Sequence, residues 1–305
     1  MAETNTLPLS QSALYKVQSR ARLAKTLLIS PRHLKFLARG TQYKLTSILD
    51  KNVKPRMLQV PQGDLRKVHD RVRYLFAQLK APEYLHSGVK GRSPVTNAKK
   101  HRSGAAGMRV DVRKFFPSCS RLSLAKFFHH DMGMAGDVAH QLSLLCTCDG
   151  ALPTGSPLSM SLAFWMHRRV FDRIERMARE RGYVFTLFVD DANFSADLSI
   201  PREFELAVRS ELRRVRLRAH PRKTSRVAPG TARQITGVIL PNSDEIRVPN
   251  AQRLKFLRGL ETIKQNSALK AERVNSLRGL LAWMRQIEPT IFPRAGGELT
   301  RLNSK

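Results

Sequence analysis

The sequence predicts an α+β protein. Short apolar strands that end in acids alternate with longer amphipathic helical stretches, and the two side-chain periodicities can be told apart along the chain. The clearest strand pattern is Phe185-Thr186-Leu187-Phe188-Val189-Asp190-Asp191-Ala192-Asn193-Phe194-Ser195. It reads as strand, tight turn, strand, with two adjacent carboxylates at the tip. A second short strand, Met108 to Asp111, delivers one further acid. The third observation is charge: 54 Lys+Arg against 24 Asp+Glu leave +30 over 305 residues.

The basic excess is spread along the chain and is not confined to a tail. A charge of that size asks for a polyanionic partner, nucleic acid first and an acidic membrane surface second. No apolar run is long enough to span a bilayer, and Met1 to Ser10 lacks the basic-then-apolar pattern of a signal peptide. A cytoplasmic protein is the expectation, with no membrane partner. Cys119, Cys146 and Cys148 form no CxxC pair, which argues against a disulfide framework and a zinc site.

In chain order, residues 1–40 alternate helical patterns with basic residues, and Ser30-Pro31 is a helix start. Tyr43 to Leu49 and Arg56 to Val60 read as a hairpin around Asp50-Lys51-Asn52. Its Lys44, Lys51, Lys54 and Arg56 could reach phosphates, although a solvated edge explains them equally well. Residues 62–80 carry Leu65, Val68, Val72, Leu75 and Leu79 at helical spacing. His86 to His101 reads as a basic Gly- and Ser-containing loop. Residues 121–146 read as helices, in which neighbouring His129 and His130 point to different faces and make no metal cluster.

Gly150 to Ser159 is a loop in which Ser156-Pro157 signals the start of a helix that runs through Leu162, Met166, Val170, Ile174 and Met177 to Gly182. Such a loop either lets a ligand approach the backbone or simply caps a core helix. A basic helix follows over 202–218, then the loop Pro221-Arg222-Lys223-Thr224 and a strand over Gln234–Leu240. Residues 250–285 are helical, with Leu254, Leu257, Leu260 and Ile263 on the apolar face and Lys255, Arg258 and Lys264 around it.

Adjacent acids at the ends of buried strands repel each other and lose solvation, so they need a cation. Taken alone, Asp190-Asp191 is slightly better explained by an ordinary solvated turn. Asp111 changes the balance. If both elements share a sheet, three carboxylates converge, and such a set can hold two magnesium ions roughly 3.5–4 Å apart for in-line phosphoryl displacement. With the basic charge, that predicts nucleotidyl transfer on a nucleic acid.

Several stretches, in order, resemble bacterial reverse transcriptases, most closely the retron type. Asp111 with Phe115-Phe116-Pro117-Ser118 is similar to the first catalytic motif. Leu152-Pro153-Thr154-Gly155-Ser156-Pro157-Leu158-Ser159 is similar to the loop-helix under the nascent base pair, and Phe188-Val189-Asp190-Asp191 to the polymerase acid pair. Gly91-Arg92-Ser93 resembles a fingers motif, Asn97-Ala98-Lys99-Lys100-His101 the Asn-Ala-x-x-His element, and Ile235-Thr236-Gly237 the Val-Thr-Gly element. The likeness spans about Tyr43 to Asn242. The chain departs from the family in having Phe188 for the usual Tyr, Thr154 for Gln and Ile235 for Val.

The resemblance implies a right-hand polymerase: a helical N-terminal region over 1–40, fingers over 41–104, an antiparallel-sheet palm over 105–242 with a helical insert at about 121–146, and a small helical thumb over 243–305. It implies that Asp111, Asp190 and Asp191, with the Val112 carbonyl, hold two Mg2+ ions, for which Mn2+ can substitute. Lys54 and Arg56 would contact the triphosphate, Phe116 would exclude a 2′-hydroxyl, and Gly155 would let the backbone approach template or nucleotide. Lys223 would protonate pyrophosphate. Arg92, Asn97, His101, Lys255 and Arg258 would grip RNA. The implied activity is RNA-directed DNA polymerisation from deoxynucleoside triphosphates on a cognate structured non-coding RNA. The product would be branched RNA–DNA (msDNA), made in anti-phage defence beside an effector protein. The alternatives are a group II intron or diversity-generating reverse transcriptase, the former disfavoured because no maturase or endonuclease segment follows the last helices, and a non-catalytic RNA-binding scaffold.

Overall fold

Serine caps start the first two helices. Ser19 and Ser30 accept hydrogen bonds from the Arg22 and His33 N–H groups, opening α1 (Arg20–Leu27) and α2 (Pro31–Leu37). The computed structural model describes residues 6–39, 42–49, 55–243, 245–265 and 270–303. β1 (Tyr43–Leu49) and β2 (Pro55–Pro61) form the expected hairpin, in register from Tyr43↔Pro61 to Leu49↔Pro55. α3 (Gly63–Ala77) buries the Leu65, Val68, Val72 and Leu75 stripe, at a gain of about 1.5–3 kcal/mol per buried large side chain.

The segment His86–His101, read as a loop, contains a helix, α4 (Pro94–Lys99). Ser93 caps it in a capping box with Thr96, and Pro94 stands in its first turn. The same Ser-Pro signature that marks α2 was present here; the surrounding Gly and Lys residues masked it.

The central sheet is antiparallel: β3 (Ala106–Asp111), β4 (Val184–Phe188), β5 (Asp191–Ala196) and β6 (Ser225–Val227), in the order β4-β5-β3-β6. Between β3 and β4 lie α5 (Phe115–Ser118), α6 (Arg121–Lys126), a π-helical turn over Phe127–Asp131, α7 (Gly136–Cys146) and α8 (Ser159–Arg179). α8 begins after Leu158 and not at Ser156. The Ser156 hydroxyl is engaged with His69 Nδ1 at 2.6 Å, so the Ser-Pro pair forms a turn leading into the helix. α9 (Arg202–Arg214) ends four residues earlier than its basic pattern suggests. α8 packs on both β4 and α9, backing the sheet.

The expected strand over 234–240 is a hairpin, β7 (Arg233–Ile235) and β8 (Val238–Leu240). Thr236 and Gly237 adopt φ of +45° and +87°, both positive as a two-residue type I′ turn requires. α10 (Asn250–Gln265), α11 (Lys270–Ile287) and α12 (Ala295–Asn303) complete the chain. Two apolar clusters result. The larger joins α1–α3, α6–α9 and the central sheet; the smaller joins α4, the β7–β8 hairpin and α10–α12. Among the described residues no helix is long and apolar enough to cross a membrane.

Candidate active site

The three acids meet at one end of the sheet. Asp111 is the last residue of β3 and Asp191 the first of β5, and they are ladder partners. Phe188 pairs with Asp191, which leaves Val189 and Asp190 as the two residues of the β4–β5 turn. Val189 has φ +58°, a region that a β-branched side chain rarely enters. The surroundings hold it there. Ser87 Oγ accepts the Val189 N–H at 2.9 Å, and the Val112 N–H donates to the Asp190 carbonyl at 2.8 Å. Strained turns persist where neighbours over-determine them in this way.

Two cations face the acids. Arg109 lies two residues before Asp111 and so on the same face of β3. Its Nε and Nη2 donate to the two oxygens of Asp191 at 2.6 and 2.7 Å. Lys223 Nζ stands 3.1 Å from Asp111 Oδ2. The loop before Lys223 runs beside the end of β3: the Arg113 N–H donates to the Arg218 carbonyl and the His220 N–H to the Asp111 carbonyl. Asp190 has no ion pair among the described residues. Burial first, and then the charge of Asp111, pushes its carboxyl up to about 6. Burial also raises Asp191, against the pull of Arg109.

The donor set suits a hard divalent cation. It supplies only oxygens, its central carboxyl is destabilised as an anion, and a cation is the remedy for that. Among the described residues, no three side chains of His, Cys, Asp and Glu converge as they stand on a single ion position. Asp191 is turned onto Arg109 and Asp111 onto Lys223, so a cation recruited here competes with the protein's own.

The acids open into a cleft of about 1120 Å³, which reaches Met57 of the hairpin, Phe116, Thr154 and Phe188, and on its far side Gln252 and Trp283 of the C-terminal helices. Gly155 is not open to this space. A Cβ there would sit 2.8 Å from the Gln59 carbonyl and from Val60 Cγ2, so the close approach that glycine permits is taken by β2. The Thr154 N–H donates to Gln59 Oε1 across the same contact.

Arg56 lies on β2 with its side chain outside the described residues, and Lys54 lies outside them altogether. Three residues read as RNA-gripping are committed to the fold. Asn97 is fully buried, its amide on Thr236 Oγ1. His101 is 3% exposed, with Nδ1 on Ser195 Oγ and Nε2 on Thr186 Oγ1. Arg92 Nη1 donates to the carbonyls of Pro82, Glu83 and Leu85 and clamps that loop. In this conformation Asn97 and His101 are withdrawn from a ligand, whereas Arg92 is partly exposed and bonded through Nη1. Lys255 and Arg258 are exposed on α10. Sequence reasoning missed Arg109, Ser87 and Trp283; only Arg109 had a signal, its two-residue spacing from Asp111.

No protein-family model matches the chain. Its sequence is 25% identical over 334 aligned residues to the retron Mx162 reverse transcriptase of Myxococcus xanthus, covering 96% of this chain and 69% of that protein. It is 22% identical to the retron Ec86 reverse transcriptase of Escherichia coli, covering 99% and 94%. The retron Mx65 reverse transcriptase of Myxococcus xanthus matches at 26% over 77% of this chain and 58% of its own. A solved structure of Candida albicans telomerase with a fragment of its RNA overlays with a TM-score of 0.49 and 9% identity, over 78% of this chain and 54% of that one. Over most of its length, then, the chain is similar to bacterial retron reverse transcriptases, and these matches support an RNA-directed DNA polymerase.

Proposed function

We propose that this protein reverse transcribes a cognate structured non-coding RNA in the bacterial cytoplasm, using Asp111, Asp190 and Asp191 as its catalytic acids. One observation carries the reading: the ladder pairing of Asp111 with Asp191 sets all three acids at the floor of a long cleft. Two Mg2+ ions held by these carboxylates and the Val112 carbonyl would activate the primer hydroxyl and stabilise the leaving pyrophosphate.

The chain's own groups do the rest. Phe116, half-buried in the cleft wall, packs beneath the sugar and leaves no room for a 2′-hydroxyl. Lys223 Nζ, now on Asp111, turns to the pyrophosphate and gives it a proton. Arg56 and Lys54 meet the triphosphate from the hairpin. Arg109 holds Asp191 in place until the cations arrive. Lys255 and Arg258 contact RNA phosphates from α10. The chain divides accordingly into an N-terminal region, fingers, palm and thumb at about residues 40, 104 and 242. Branched RNA–DNA as product, an effector protein as partner and a part in anti-phage defence belong to the same proposal.

The test is primer extension on an RNA template with Mg2+. Wild-type protein should extend and the Asp190→Ala/Asp191→Ala double variant should not. Failure of the wild type would favour the non-catalytic scaffold. Branched DNA recovered with the protein from cells would distinguish the retron activity from other reverse transcription, and a co-purifying second protein would identify the effector.

A further inference from the structure

A cluster of arginines stands at the C-terminal end of α9. A cavity of about 680 Å³ is walled by Arg209, Arg213, Arg216 and Arg218, with Leu217 and Ala219 completing the lining. Arg213, Arg216 and Arg218 are exposed, and among the described residues their side chains have neither an ion pair nor a hydrogen bond. Arg209 bonds Glu205 through Nη2 at 2.8 Å, but its buried Nε has no partner. Elsewhere on the same helix the pattern differs: Arg214 pairs with Glu211.

The helix end shows that the charge is kept at a cost. The Leu217 N–H donates to the Leu212 carbonyl and the Arg216 N–H to the Arg213 carbonyl, each at 3.0 Å. These two bonds define a Schellman cap, with Leu212 and Leu217 as its buried apolar pair. Arg216 occupies the left-handed position of that cap at φ +62°, where glycine is the residue of least strain. Arg213 sits in the last turn and answers the helix dipole. Arg216 and Arg218 lie beyond the helix, and the dipole does not account for them.

The cavity adjoins the catalytic segment. Arg218 accepts a backbone hydrogen bond from Arg113, and two residues later His220 donates one to the carbonyl of Asp111. We propose that Arg209, Arg213, Arg216 and Arg218 form a cradle for the phosphodiester backbone of the RNA, outside the catalytic cleft. Guanidinium forks match phosphate oxygens two at a time, and contacts of this kind position a strand without reading its bases. The proposal rests on the reading that RNA is the partner.

The test measures binding of a fluorescein-labelled RNA hairpin with single-stranded tails by anisotropy over a KCl series. The Arg213→Gln/Arg216→Gly/Arg218→Gln variant should bind about 10–100-fold more weakly at low salt, with a log–log salt slope shallower by about 2. Arg216→Gly alone should melt at or above the wild-type temperature and still bind more weakly, which separates charge from folding. Extension of an annealed DNA primer on a short RNA template at saturating concentration should stay near wild type. Unchanged affinity and slope overturn the proposal. So does a raised KM for deoxynucleotides with unchanged RNA affinity, which would assign the cradle to the incoming triphosphate. Wild-type extension on the same duplex tests the polymerase reading separately, because anisotropy does not require catalysis.

Discussion

Asp111 and Asp191 face each other across the β3–β5 ladder, yet each carboxylate is turned onto a different cation, Lys223 at 3.1 Å and Arg109 at 2.6 Å. The protein thus balances its own acids in the absence of metal. Among the described residues Asp190 alone of the three has no such ion pair, and burial holds its carboxyl up at about 6.

That imbalance predicts a trade of activity for stability. A carboxyl whose folded value is raised from 3.8 to about 6 binds its proton more tightly in the fold. Its contribution to stability is therefore full at low pH, falls as pH climbs through that window, and stays low above it. Asp190→Asn should abolish primer extension and stabilise the metal-free protein at pH 8 by about 1–3 kcal/mol. Thermal melts in EDTA read this directly, and a lower melting temperature would contradict it.

Arg109→Gln removes the bidentate partner of Asp191. Metal-free protein should lose roughly 1–3 kcal/mol, discounted from a fully buried pair because Arg109 is partly exposed. Added Mn2+ should raise its melting temperature by more than it raises the wild type's, since Asp191 then answers to the cation alone. An equal or smaller metal-induced shift would show that Arg109 does not compete for this carboxylate.

His69, His101 and His167 predict acid lability. Burial lowers them from 6.5 to about 4, about 3 and about 4, with the charge of Arg233 adding to the effect at His101. The unfolded chain takes up their protons below pH 6.5 while the fold does not. Stability is therefore full above 6.5 and is lost as pH falls from there to about 4, by on the order of 3 kcal/mol per histidine at the acid end. Denaturant midpoints measured across this range should fall steadily; a flat profile would mean that the rings are accessible to protons in the native state.

Gly155→Ala places a methyl 2.8 Å from the Gln59 carbonyl. Because backbone cannot yield as a side-chain tip can, the β1–β2 hairpin must shift away from the loop. Extension efficiency should fall by about tenfold or more from misplacement of this order, with little change in RNA affinity. A fully active Gly155→Ala would show that the contact does not position the hairpin.

Phe116→Val should open the cleft floor. Ribonucleotide incorporation, measured against deoxynucleotides on the same template, should rise by roughly tenfold or more. An unchanged ratio would confine Phe116 to packing against Phe115, whose ring centroid lies 5.8 Å away.

The sequence by itself determined the α+β class, the β1–β2 hairpin, the Asp-Asp turn and the family likeness. All of these are carried by local patterns of two or 3.6 residues and by short motifs whose spacing survives without coordinates. Asp111 with Asp190-Asp191 was legible as a set only on the condition that two strands share a sheet, and the β3–β5 register supplies that condition. Tertiary structure decided what each polar side chain faces. His101 and Asn97 looked like contacts for a polyanion, but packing closed Thr186, Ser195 and Thr236 around them. Gly155 looked like space for a ligand and is filled by Gln59 and Val60. Arg109, four arginines at the end of α9 and Trp283 carried little signal, because whether a cation faces an acid, an open cavity or another helix depends on distant segments brought together by burial. Hydrophobic periodicity specifies which face of an element turns inward; it does not specify what it meets there.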